Sequence, residues 1–311
     1  MKKDFIFSSL IFIIICCPRL YGQDNQRAVI PQENGDIILA YKGFEQFLNS
    51  PKDWNDYLKY VLHAYPTLRC LHQRYIKYGL NDSVLYKKQV SDYTIDDFAL
   101  YLNRVKEKQF ITLYDNVIKQ MDSILTPRNK VDICFFLPYG DCFVQEVAGR
   151  QTVFISIKYD MDKMDLILMH EYAHCLHHQR RPQEPSVLKR WIVSEGIASF
   201  FPLLVSRNYS IYEGLWMMPR ENIDWCRQHE PEIIDSIRMD LDKQGMEISK
   251  KYIAGGEGFA RPPRGFPEKT GYYLGYRLIE KCMDKGMALS DICILDSKAV
   301  MDSSGVFEIH Q

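Results

Sequence analysis

The sequence predicts an α+β protein, mainly α, in which a small mixed sheet runs into one apolar helix and helical lobes flank the pair. Three observations lead there. Apolar residues recur at helical spacing over about 36–125; two short β-rich runs follow, at 131–137 and 152–158; and beyond Tyr159 the chain reads mostly as helix to its end.

The opening residues stand apart. Lys2 and Lys3 precede an almost wholly apolar run over 5–17, whose 13 residues are too few for a membrane helix, where about 20 are needed. Pro18 and Arg19 end the run, and Leu20-Tyr21-Gly22 sets a small residue before Gln23. This is the pattern of a secretory signal over 1–22, so the expectation is export to the periplasm or beyond, with no transmembrane span after cleavage. Cys16 and Cys17 raise lipid anchoring, but Ile14 and Ile15 stand where such signals carry small residues, which favours soluble export.

Residues 23–127 form the expected N-terminal helical lobe. Residues 37–48 carry helical spacing, Pro51-Lys52-Asp53 offers the first turn of a next helix, and Thr94-Ile95-Asp96-Asp97 starts a long periodic stretch ending at Pro127. Residues 128–311 form the second domain. The run 131–137 stops at Pro138-Tyr139-Gly140-Asp141, and 152–158 alternates like a half-buried edge strand. Helices resume, interrupted by a loop over 255–271 rich in Gly, Pro and Arg. Arg261 and Arg264 in that loop are candidates to grip a substrate carboxylate, with a solvated loop the favoured reading.

Composition removes other classes. The 311 residues carry 39 Lys plus Arg against 40 Asp plus Glu, a net charge of −1, so no basic excess points to nucleic acid or an anionic membrane surface. No internal repeat is visible. Cleavage after Gly22 leaves seven cysteines, at 70, 134, 142, 175, 226, 282 and 293. An odd number cannot all pair, and no CxxC spacing marks a disulfide framework, so these read mainly as small buried apolar groups. The sequence does not fix the oligomeric state.

The chemistry sits in the helix after the sheet, where His170-Glu171-Tyr172-Ala173-His174 matches HExxH. Residues four apart share one helix face, so His170 and His174 can offer imidazoles to one ion. Glu171, one step round the helix, can reach a water on that ion and serve as general base. A chain of this composition yields about 0.01 such matches by chance. A catalytic zinc needs a third protein ligand. His177 and His178 lie about 10–12 Å along the helix from His170, and read as surface or supporting residues. The metzincin pattern would place Gly at 177 and His at 180, where this chain has His177 and Arg180. Glu195, in Trp191-Ile192-Val193-Ser194-Glu195-Gly196, is the better ligand: a lone carboxylate in so apolar a helix is costly to bury unless paired or metal-bound. Gly196 leaves room for a close helix approach.

HExxH followed by a Glu on the next helix resembles the gluzincin arrangement of zincin metallopeptidases. More narrowly, HEYAH, SEGIASFF and GYYLGYRLIEK resemble a bacterial domain-of-unknown-function family of predicted Zn-dependent proteases, over about residues 130–290. The resemblance implies a zincin-like catalytic domain, one Zn2+ per chain on His170, His174 and Glu195, and a peptide or protein substrate. Thermolysin-like enzymes carry an Asp four residues after the ligand Glu to orient a zinc histidine, and this chain has Ser199 there. Gly271 and Gly275 give the last block a smooth packing strip. Tyr272, Tyr273 or Tyr276 offers a hydroxyl to the oxyanion of a tetrahedral intermediate, or is a core aromatic. The expected function is therefore an exported zinc metallopeptidase using Glu171 as base. Two alternatives stand beside it: an inactive envelope binding or assembly module on the same scaffold, and a zinc hydrolase of a non-peptide bond.

Overall fold

In the computed structural model, which describes residues 28–76, 90–206, 208–256 and 259–308, the sheet begins before any α-helix. The signal-like segment 1–22 lies outside the described residues. Strands β1 (Val29–Gln32) and β2 (Gly35–Leu39) form an antiparallel hairpin. Gly35 has φ 147°, and a Cβ on it would lie 1.8 Å from the carbonyl oxygen of Val131, so the hairpin crosses its neighbour only with glycine there. This corrects the helical reading of residues 36–40. Ile37, Ile38 and Leu39 are buried on both faces of the sheet, and a strand covered on both faces loses its alternation. Helix α1 (Tyr41–Leu48) follows at once, so the apolar run continues without a visible break.

Helices α2 (Ile95–Arg104) and α3 (Glu107–Ile124) lead to β3 (Val131–Phe136), buried at all six positions. Strand β4 (Cys142–Val147) then pairs antiparallel with β5 (Arg150–Ser156) through Ala148 and Gly149, whose φ values of 51° and 80° are those of a tight left-handed hairpin turn. The mixed sheet has the order β1-β2-β3-β5-β4, with β2, β3 and β5 parallel. The expectation that 152–158 is an edge strand is therefore corrected: β5 lies between β3 and β4, and β4 is the outer strand. The sequence hid β4 because only Phe143 is fully buried in it, and because Ala148-Gly149 is a weak turn signal. Arg150 pins the sheet by pairing with Asp132 at 2.6 Å and Asp36 at 3.3 Å.

The turn out of β5 is held from α2. Arg104 donates to the carbonyls of Ile157 at 3.0 Å, Lys158 at 2.9 Å and Tyr159, and pairs with Asp160 at 2.9 Å. The chain then enters α4 (Met164–His178), which packs on β4, β5 and α3 and meets α5 (Leu188–Val205). Helix α4 is buried around most of its circumference, as a helix without an apolar stripe must be. Tyr172 ties it to α3 by donating to Asp122 at 2.9 Å, and the side chain of Asn34 donates to the same carboxylate.

The C-terminal part adds α6 (Arg220–Gln228), α7 (Glu230–Arg238), α8 (Met246–Tyr252), α9 (Thr270–Asp284) and α10 (Ser297–Ser304). Helices α5 and α9 cross backbone on backbone. A Cβ on Gly196 would fall 2.2 Å from the carbonyl oxygen of Gly275, and one on Gly275 would fall 2.1 Å from that of Ile192. The close approach expected of Gly196 and the smooth strip expected of Gly275 are thus one contact. Among the described residues no helix is long and apolar enough to cross a membrane.

Candidate metal centre

Helix α4 presents His170 and His174 one turn apart, and their Nε2 atoms lie 3.2 Å from each other. The turn over 179–187 reverses the chain, and α5 brings Glu195 over the pair. Its Oε2 lies 3.2 Å from Nε2 of His170 and 3.3 Å from Nε2 of His174. Four ligands held tetrahedrally about 2.0–2.1 Å from a zinc ion are themselves about 3.3 Å apart. The three atoms therefore already have the edge lengths of a zinc site. Oε2 of Glu195 is buried and has no hydrogen-bond donor among the described residues, which leaves the shared position as its natural use. This is also the cluster of metal-binding side chains among the described residues, with ligand atoms within 4.8 Å of one another. The three residues fit zinc.

A family model described as predicted Zn-dependent protease (DUF2268) matches residues 139–302, more than half of the chain. The chain belongs to the DUF2268 family. The DUF2268 segment contains β4, β5, α4, α5 and α9, and with them the whole cluster; it leaves out β1, β2 and β3. No curated protein and no solved structure matches the chain.

Within this DUF2268 site the electrostatics follow from burial opposed by pairing. Burial acts against the charge of Glu195, but His174 and His170 outweigh it and hold its carboxyl below the ordinary carboxylate range. Burial likewise pulls the His174 imidazole down, and the Glu195 carboxylate reverses this and pushes it up to about 9. His170 is sealed at 1% exposure, whereas His174 and Glu195 keep 18% and 14%, so the cluster opens on their side.

The ring of His174 is held through its other nitrogen, with Nδ1 2.9 Å from the Ser194 hydroxyl. That is the supporting partner a metal histidine usually has, and it sits one residue before Glu195, not four after it. Ser199 is fully buried and its hydroxyl meets no partner among the described residues, and the same is true of His170 Nδ1. Tyr272 stacks on His170 with ring centres 6.1 Å apart and 12° between planes, and burial, with Glu195 close by, raises the pKa of its hydroxyl. Trp216 meets the edge of His170 at 6.5 Å.

Glu171 stands beside the triangle without joining it. It is 5% exposed, and burial raises its carboxyl above the usual value while His170 and His174 pull it back. Cys142, on outer strand β4, lies close enough to act on the Glu171 carboxyl, a neighbour that sequence patterns do not reveal.

The remaining candidates lie elsewhere. Tyr273 donates to Glu230 on α7 at 2.6 Å, and Tyr276 to Glu280 at 3.4 Å, so of the three tyrosines only Tyr272 faces the cluster. Their shared signal was helix α9 itself, which turns successive side chains to different neighbours. His177 is not at the surface: it is 2% exposed, and burial with the positive charges around it holds its imidazole down to about 3. His178 is exposed and lies 3.1 Å from the Arg190 guanidinium. Arg261 and Arg264 are exposed, and Arg261 bonds the neighbouring Ala260 carbonyl.

Proposed function

We propose that the protein is an exported gluzincin-type zinc metallopeptidase, with His170, His174 and Glu195 as ligands and Glu171 as general base. One observation carries this reading: three ligand atoms converge at zinc-site spacing while a second acidic group, Glu171, sits next to them and outside the cluster. A purely structural site has no use for that carboxylate, which speaks for a hydrolase over a binding module. Zinc held by the three residues would supply Lewis acidity and bring the pKa of water toward about 7.

The chain's own groups do the rest. Glu171 takes the proton from the attacking water on its carboxylate and returns it to the leaving amine. Burial favours that cycle, because a raised carboxyl pKa makes a stronger base and shortens the step back to the acid. Among the described residues, no strand pairs with the outer flank of β4 beside α4, so an extended peptide can add there as a further strand and lie across the cluster. Backbone pairing of this kind suits a peptide and gives a non-peptide ester nothing to match. Export rests on the pattern at 1–22.

The test is zinc content and peptide cleavage, measured in parallel on wild type, Glu171→Gln and Glu195→Gln. Glu171→Gln should keep zinc and the fold and lose nearly all hydrolysis, since an amide cannot accept the proton. Glu195→Gln should lose zinc affinity and activity together. Cleavage retained by Glu171→Gln would falsify the mechanism. Zinc-loaded wild type that cleaves nothing in a broad peptide library would hand the site to the binding-module reading.

A further inference from the structure

Lys269 is a half-buried cation next to the cluster, and it forms no ion pair with any described residue. Its ammonium makes one long hydrogen bond, 3.4 Å to the Met217 carbonyl, and lies 5.6 Å from the centre of the Tyr272 ring. Tyr272 in turn stacks on His170, so Lys269, Tyr272 and His170 form one layered wall. The neighbouring acid, Glu268, accepts from the Gly256 N–H at 2.8 Å and forms no ion pair with Lys269.

The backbone holds Lys269 in an unusual way. It has φ 64°, the left-handed region that non-glycine residues occupy only when their surroundings impose it. Its side chain runs over Gly255, where a Cβ would fall 2.5 Å from Cε of Lys269. A bulkier residue at 255 would push the ammonium off its place. Burial pulls the ammonium's pKa down, while the Glu195, Cys142 and Glu268 groups close by work in the opposite sense. A buried cation without a partner and a left-handed lysine are each unfavourable. Both occur at a residue that brings a positive charge to this cluster's wall, and an arriving anion would compensate the first.

We propose that Lys269 selects the substrate by receiving a carboxylate of the bound peptide, either the free C-terminus or an Asp or Glu side chain. The inference rests on the peptidase reading for the identity of the ligand as a peptide. It also replaces Arg261 and Arg264 as the cation that meets substrate, since those two project into solvent while Lys269 closes the same loop at its inner end.

The experiment measures binding on the inactive Glu171→Gln background, and turnover on the same peptides with Glu171 intact, with and without Lys269→Met. Zinc-loaded Glu171→Gln protein, alone and combined with Lys269→Met or Lys269→Arg, is titrated calorimetrically with matched octapeptides. One set compares a free C-terminus with its amide; the other compares single Asp or Glu residues with Asn or Gln. A charge-assisted hydrogen bond in a half-buried site predicts about 10- to 100-fold tighter binding of the carboxylate member in one set. Lys269→Met should erase that ratio with zinc stoichiometry unchanged, and Lys269→Arg should keep most of it. The set that shows the ratio identifies the source of the carboxylate. Equal affinities within both sets overturn the proposal, even if Lys269→Met fails to fold, because that comparison needs only the Lys269 protein. So does a Lys269→Met effect on turnover alone that is equal for both members, which would make Lys269 a general oxyanion donor. Cleavage without a ratio sinks this inference and leaves the peptidase reading; a ratio without cleavage does the reverse; peptides neither bound nor cleaved sink both.

Discussion

Ser194 and Tyr272 give the cluster its aim. Ser194 fixes the ring plane of His174 through Nδ1, and Tyr272 stands close to Glu195 while covering the face of His170. His170 lacks a partner on Nδ1 among the described residues and depends on packing between Tyr272 and Trp216. Outer partners of metal ligands typically matter by about 10–100-fold in affinity. Ser194→Ala should therefore weaken zinc by about that range without unfolding the chain, and Tyr272→Phe should weaken it less, since the ring stays. Competition against a chromophoric chelator reads both, and unchanged affinity in the two variants would mean that packing alone orients the ligands. At this scale the sequence was legible where chemistry repeats at fixed spacing. His170, Glu171 and His174 share a helix face by arithmetic, and Glu195 stood out as a charge in an apolar helix. Ser194, Cys142 and Lys269 carried no such mark, because each acts through a neighbour brought in by the fold.

The crossing of α5 and α9 is the element on which the cluster hangs. Gly196 adjoins Glu195, and Gly275 lies one turn from Tyr272, so the backbone contact between the glycines sets the distance between ligand carboxylate and tyrosine. Gly275→Ala would place a methyl 2.1 Å from the Ile192 carbonyl oxygen and force the helices apart. A cost of about 1–3 kcal/mol or more is expected for such overpacking. The variant should show a lower denaturation midpoint and weaker zinc binding together. A stable variant with normal zinc affinity would mean the two helices can slide without consequence. Helices of this kind read well from sequence, since α4 and α5 announce themselves by long apolar runs and a break near Pro182. Strands read less well. β2 hid at the head of a helical run, and β4 hid because its outer position leaves it half polar.

For the molecule as a whole, the three proposed ligands join two helices that only the folded chain brings together, so zinc held there would be linked to the fold by mass action. An ion that binds the native state and not the unfolded chain adds about 1.4 kcal/mol of stability for each tenfold rise in free zinc above its dissociation constant. Calorimetric unfolding in zinc buffers should show a transition temperature rising with the logarithm of free zinc, and the rise should vanish in His170→Ala. A transition indifferent to zinc would place the ion outside the folded core.

The sheet order carries a separate consequence for how this chain can be divided. The family-matched segment begins at Tyr139, between β3 and β4, yet β5 inside it takes half of its ladder from β3 outside it. Cutting there strips one edge from a strand that is buried in the intact protein and uncovers Val153, Phe154 and Ile155 along it. The portion that defines kinship is therefore not a portion that can be transplanted. A chimera that carries this segment needs a parallel strand to stand where β3 stands, whatever sequence supplies it.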